Sequence, residues 1–303
     1  MPHERDQETA AVIALLRRRF APATKLAELI ETSGSALALL RDASDGDDER
    51  LFADPPAVGS AADPDADLDA IAAEIDAWRA DGIAVLSVFD DAYPLNLRAV
   101  HDRPPVLYVR GALTADDTSA IAVVGTRRAS EDGRRRATKL ASQLAEAGHV
   151  IASGLAAGID TAAHQGALEA GGRTIAVIGT GLNHSYPREN TDLQRRLGET
   201  SAVISQFPPD QPGARWTFPQ RNAVMSGLSL ATVLVEAGDG SGARIQAERA
   251  LEHGRPVFFL RNMLDHDWAR AYADRPSVYV ADTTDDVVRR IERMYTTQLV
   301  VAS

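Results

Sequence analysis

Four short stretches bring together glycine, hydroxyl side chains and charge in a way that suits an anion. They are GTRRASEDG (125–133), SGLAAGID (153–160), GTGLNHSYP (179–187) and EAGDGSGAR (236–244). Glycine lets backbone approach a ligand, and the first N–H groups of a helix point at negative charge. Arg127 and Arg128 lie in the first stretch, and a fifth, RWTFPQRN (215–222), sets Arg215 and Arg221 around Trp216 and Phe218. Guanidinium groups beside aromatic faces suit phosphates and stacked bases, as in single-strand binding without strong sequence readout. Plainer readings stand beside these. The glycines close tight turns, Trp216 and Phe218 fill a core, and Arg134, Arg135 and Arg136 form a solvated helix face. GTGLNH lacks the third glycine of the dinucleotide fingerprint, and no GxxxxGK[ST] loop is present. Asp160 is expected to cap the helix that follows it. Asp160 and His164 have the i, i+4 spacing of metal ligands, but with no third ligand in view they are expected to be a helix-surface pair, and no metal is expected.

The elements that must position these stretches follow from hydrophobic pattern. IAVVG (121–125), VIASG (150–154), TIAVIG (174–179), AVISQF (202–207), ATVLVEA (231–237) and PVFFL (256–260) are continuous apolar strands. Between them, residues 132–147, 160–170, 188–198, 220–227 and 242–253 have helical character. This alternation predicts an α/β fold with a doubly wound, mostly parallel sheet covered on both faces. Ligands of such sheets bind beyond the carboxyl ends of the strands, which is where the glycine-rich turns fall. Residues 83–94 and 104–111 read as further strands, and 277–296 as one more strand–helix pair. Toward the N-terminus, AAVIALLRRRF (10–20), KLAELIE (after Pro22, closed by Gly34) and ALALL (capped by Ser35) form a small helical module. From Asp42 to Asp69 the chain has ten acids, one arginine and three prolines, the composition of a solvated linker or disordered segment; a helix follows at about 69–80. The expected division is a helical module over 1–41, an acidic linker over 42–68 and the sheet domain over 69–303, with its core at about 119–260.

The 303 residues carry a net charge of −11, which at first sight argues against a nucleic-acid partner. The charge is uneven, however. Residues 1–69 hold 15 acids and 7 Lys/Arg, while residues 121–256 hold 13 acids and 15 Lys/Arg. There is no cysteine, which excludes disulfides and thiolate metal sites. The polar start MPHERDQETA lacks the apolar core of a signal peptide, and no run of eighteen apolar residues is present. A cytoplasmic protein without a membrane partner or a cofactor is expected.

IAVVGTRRASEDG, IASGLAAGIDTAAHQGALEAGGRTIAVIGTGLNHSYPREN, RWTFPQRNAVMSGLS and ALEHGRPVF resemble, in order and spacing, the DprA/Smf family of DNA-processing proteins. The resemblance covers roughly residues 83–260. DDAYPLNLRAVHDRPPVLYVRG resembles the segment before that family's core, and the N-terminal helices loosely resemble its SAM-like domain. The resemblance implies an extended Rossmann-like fold that binds single-stranded DNA, usually as a homodimer, without catalysis. It also implies protection of incoming strands and loading of RecA in natural transformation. Carried onto this chain, the DNA-binding positions are Gly125, Thr126 and Arg127, Ser153 and Gly154, and Arg215, Phe218, Arg221 and Asn222. Three departures stand out. Ala223 replaces the family's second arginine after Arg-Asn, LRNMLDHDW (260–268) replaces its Val-Pro-Gly, and no winged-helix segment is expected to follow. A role outside transformation, as a nucleotide-sensing domain in signalling or anti-phage defence, remains open. So does a nucleoside-monophosphate phosphoribohydrolase, for which EAGDGSGARIQAE supplies Glu236 and Glu248 but no Pro-Gly-Gly turn.

Overall fold

The computed structural model describes residues 2–45 and 64–301. The chain opens with α1 (Pro2–Arg17), α2 (Ala23–Ser33), α3 (Ala36–Asp45) and α4 (Pro64–Ala80), then β1 (Ile83–Ser87), α5 (Leu95–Arg98) and β2 (Val106–Gly111). The regular alternation follows: β3 (Ile121–Gly125), α6 (Glu131–Glu146), β4 (Ile151–Ser153), α7 (Ile159–Glu169), β5 (Thr174–Val177), α8 (Thr191–Thr200), β6 (Ala202–Ser205), α9 (Thr217–Leu228), β7 (Ala231–Glu236) and α10 (Gly242–Glu252). It closes with β8 (Val257–Leu260), α11 (Asp267–Ala273), β9 (Val278–Ala281) and α12 (Thr284–Val301).

Among the described residues nine strands form one sheet in the order β1-β2-β6-β5-β4-β3-β7-β8-β9. Only β1–β2 and β2–β6 pair antiparallel; the rest are parallel, as the apolar strand pattern predicts. From β3 the chain steps outward through β4, β5 and β6, then returns to the other side of β3 at β7. The order therefore reverses between β3 and β7. Side chains alternate across β3. Ile121 and Val123 face a core shared with Leu140, Ile159 and Ile291 of α6, α7 and α12, while Ala122 and Val124 face a core shared with Val224 and Met225 of α9. Among the described residues no helix is long and apolar enough to cross a membrane.

The N-terminal helices join that second core. Leu15, Leu26, Ile30 and Leu40 belong to one hydrophobic cluster with Ile75, Ile83 and Leu107. Ser35 accepts the Ala38 N–H at 3.1 Å as an N-cap, and Glu8 of α1 accepts the N–H groups of Ala36 and Leu37 at 2.6 and 3.3 Å. Helices enter the stretch expected as linker, 42–68, from both ends. α3 runs to Asp45, and α4 starts at Pro64, whose fixed φ and missing N–H suit a first helical turn. Residues 46–63 lie outside the described residues. α11 was not legible in LRNMLDHDW; it forms because Trp268 and Tyr272, one turn apart, pack their rings edge-on to each other and Trp268 packs on Phe259.

Candidate nucleic-acid interface

The first two glycine-rich turns press against each other above β3 and β4. Thr126 N–H donates to Glu236 O at 2.7 Å, holding the first turn to the end of β7. Ile159 N–H, at the start of α7, donates to Thr126 O at 3.3 Å. Gly158 permits this contact. Its φ is +82°, and a Cβ there would run into the carbonyl oxygens of Thr126 and Arg127. The second turn is held from the far side by the buried Asn190, whose amide donates to Leu155 O and Thr161 Oγ1, both at 2.8 Å. Leu155 itself sits at φ +57°, a left-handed conformation uncommon for a residue with a side chain.

Behind these turns lies a buried charge. Arg221 is 6% exposed, and its guanidinium occupies the space over Gly154 that a side chain at that position would need. Its Nη1 donates to Val177 O at 3.2 Å, and its Nε has no partner within the protein. Burial pushes the Arg221 guanidinium below its ordinary pKa; the Asp160 charge opposes that shift and the Arg127 charge adds to it. Asp160 is 5% exposed, and burial pushes its carboxyl up against the pull of Arg221 and of the Ala156 and Gly154 N–H groups. The expectation that Asp160 caps α7 is corrected here. Gly158 precedes the first residue of α7, and Asp160 instead accepts from Ala156 N–H at 3.4 Å inside the turn. Ser153 is fully buried and donates to Val123 O at 2.7 Å, tying β4 to β3. Asn222 is buried too, and its amide donates to Gly242 O at 3.4 Å, joining α9 to α10.

In front lies an exposed aromatic and basic surface. Arg127 is exposed, and its guanidinium carbon stands 5.0 Å from the centroid of Phe218 and 5.6 Å from that of Tyr186. The two rings contact each other at 5.4 Å. Phe218 is half-buried, with its ring over Gly179 of the third turn. Trp216 is 54% exposed and packs edge-on to the buried Phe207 at 5.6 Å, with Arg215 exposed beside it. Rings that pin the faces of a guanidinium leave its N–H edge free to donate, the geometry needed for a phosphate. The structure thus brings Gly125, Thr126, Arg127, Gly154, Phe218 and Arg221 into one locality, while Ser153 and Asn222 serve as ties within the fold.

The fourth turn does other work. Glu236, at the crevice between β3 and β7, accepts from Ser130 N–H and Oγ at 2.9 and 2.5 Å, and Ser130 Oγ accepts from Gly133 N–H at the start of α6. Glu248 accepts from Tyr272 Oη at 3.3 Å. His164 is fully buried, with Nδ1 2.7 Å from Thr174 Oγ1, so the Asp160/His164 pair is not on a helix surface. Tyr186 and Asn190 were missed as site residues. Both lie in the stretch ending SYPREN that carries the family resemblance, and Tyr186 also sits at the end of a glycine-rich turn, but nothing in residue type or spacing singled either out.

A family model described as DNA recombination-mediator protein A matches residues 84–283. The chain belongs to this family. DNA processing protein DprA of Streptococcus pneumoniae is 44% identical over 172 residues, 57% of this chain and 61% of that protein. The Bacillus subtilis protein of the same name is 37% identical over 194 residues, 64% of this chain and 65% of its own length. Protein Smf of Escherichia coli is 44% identical over 169 residues, 55% of this chain and 45% of its own. The matched part of the chain thus spans less than two thirds of these relatives. Among solved structures, DprA from S. pneumoniae superposes with a TM-score of 0.63 at 35% identity, covering 75% of this chain and 82% of that one. DNA processing protein A from Helicobacter pylori, described by its single-stranded DNA binding mode, superposes at 0.61 and 23% identity over 70% and 96% of the two chains, a likeness of fold.

Proposed function

We propose that this chain processes DNA by binding single strands across the carboxyl edge of its sheet. One observation carries the reading: Arg127 is exposed, stacked on Phe218 and Tyr186, and backed by the buried charge of Arg221. A phosphate accepted by the Arg127 edge relieves the repulsion between the two guanidinium groups. The exposed faces of Tyr186 and Trp216 offer platforms on which neighbouring bases stack, which a paired duplex would withhold. Family membership and the single-stranded DNA binding described for the H. pylori relative support the same reading. The finer role rests on the family alone: a cytoplasmic homodimer that protects incoming strands and loads a RecA-class recombinase in transformation. Light scattering of the full chain, and RecA filament growth on protein-coated strands, test it.

Catalysis has weaker support. Both carboxylates considered for nucleotide hydrolysis are committed, Glu236 to the start of α6 and Glu248 to Tyr272. Release of free base from a nucleoside monophosphate, abolished by Glu236→Gln or Glu248→Gln, would establish the enzyme reading instead. The deciding experiment for DNA is fluorescence anisotropy with a labelled oligonucleotide, single-stranded and as blunt duplex, over a range of salt. With three or four phosphates neutralised, the log–log salt slope on the single strand is roughly −2 to −3. Equal affinity for the duplex, or a flat salt dependence, overturns the proposal.

A further inference from the structure

We propose that His101, Asp102 and His253 bind one divalent metal ion of the zinc class at the sheet edge opposite the nucleic-acid interface. The inference is independent of the DNA reading. His253 follows the last residue of α10, and Asp102 lies in the connector between α5 and β2. The His253 side chain is fully buried and that of Asp102 is 8% exposed.

The hydrogen-bond pattern points to the ligand. Ser226 Oγ lies 3.2 Å from Ala223 O and 2.8 Å from His253 Nδ1, and with the hydroxyl proton directed to Ala223 O its oxygen accepts from His253 Nδ1–H. Nε2 of that tautomer carries the lone pair, and it faces Asp102 Oδ1 at 2.7 Å. Two electron-pair donors at that distance, shielded from water, require a positive centre between them, either a proton or a metal ion. A proton would satisfy the pair. The third donor favours a metal. The exposed His101 ring stands 5.6 Å from that of His253 at 76°, and one ligand atom from each of the three residues lies within 4.8 Å of the others.

Two imidazoles and a carboxylate with one position open to water are a donor set that zinc accepts. Tetrahedral bonds of about 2.0–2.1 Å set ligand atoms about 3.3 Å apart, so the His253–Asp102 contact opens slightly while the exposed His101 closes in. Ser226 is the outer partner that fixes the His253 ring. Arg249 stands 4.0 Å from the other oxygen of Asp102 and competes for its charge, which keeps the affinity moderate. The ion would join the connector, α9 through Ser226, and α10. α9 carries Phe218 and Arg221 toward its other end, so the ion would brace that helix from behind the interface.

The test uses the full chain without an affinity tag. Zinc is titrated against a chromophoric chelator, and melting is followed with and without zinc. We expect one zinc per chain at micromolar affinity and a melting temperature raised by several degrees at saturation. Cobalt(II) should give the intense visible absorption of a tetrahedral complex. His101→Ala, at an exposed position, should weaken zinc binding at least about tenfold and remove the melting shift, with the metal-free melting temperature unchanged. Asp102→Asn should weaken binding similarly. Absence of zinc binding, or binding that His101→Ala leaves intact, overturns the proposal, because surface histidines elsewhere would then account for it.

Discussion

Arg127 and Arg221 are the same residue type in one locality, yet burial gives them opposite consequences. Arg127 is exposed and stacked, so truncating it removes the proposed phosphate contact and little of the fold. Arg127→Ala should weaken single-strand binding by about 1.5–3 kcal/mol with the melting temperature nearly unchanged, read as a binding isotherm beside a melting curve. Unchanged affinity would remove Arg127 from the interface. Arg221 is buried beside Asp160, and its loss removes the larger of the two cationic pulls, from Arg221 and Arg127, that offset the burial of that carboxyl. Arg221→Met should therefore cost about 3 kcal/mol or more of stability, seen in urea unfolding before any effect on DNA is read. His164 is a third buried group with a legible sign. Unfolded, it takes up a proton near 6.5; folded, burial and then the Arg221 charge hold its pKa at about 3. Between those values the unfolded chain binds more protons, so stability falls as pH falls through that window. From pH 7 to 5 this site should lose about 2 kcal/mol, a loss that His164→Gln should not show.

The turns act as units because each is braced by another element. The first rests on the end of β7 and on Gly158, and the second on Asn190 from the segment before α8. Gly158→Ala meets both a positive φ and two carbonyl oxygens. We expect it to destabilise the fold by about 1–3 kcal/mol, measured by urea unfolding, and to weaken DNA binding by displacing Arg127. A variant with unchanged stability would show that the two turns are not pressed together in solution. Glu236 holds the start of α6 at the crevice where the strand order reverses, the usual ligand site of such sheets. The basic and aromatic surface consequently lies over β3, β4 and β5 instead.

The chain is acidic as a whole, and its acids are concentrated in residues 1–69, with a net charge of −8. α1 to α3 share the core with α4, β1 and β2, so removing them would expose that core rather than test their charge. The acids between the described helices can be altered alone. If they compete with DNA phosphates, changing Asp47, Asp48, Glu49 and Asp54 to their amides should tighten single-strand binding several-fold at low salt. The gain should fade as the Debye length nears about 8 Å at physiological ionic strength. Equal affinity at low salt would leave the segment a spacer.

The alternation of apolar runs and helical stretches was enough to read the parallel sheet, its carboxyl-edge turns and the stretch from Arg215 to Asn222, because burial on both faces imposes continuous hydrophobicity on the strands. The family was legible for the same reason: order and spacing of motifs survive in one dimension. Sequence could not sort the motif residues into contacts and supports. Ser153, Asp160, Arg221 and Asn222 are all polar, but each is closed off by packing from elements distant in the chain. Tyr186 joins Arg127 and Phe218 only because β5 lies beside β4 and the start of α9 folds back over Gly179. Which polar side chain meets solvent is a property of what packs over it, and that is settled only when all the strands and helices are in place.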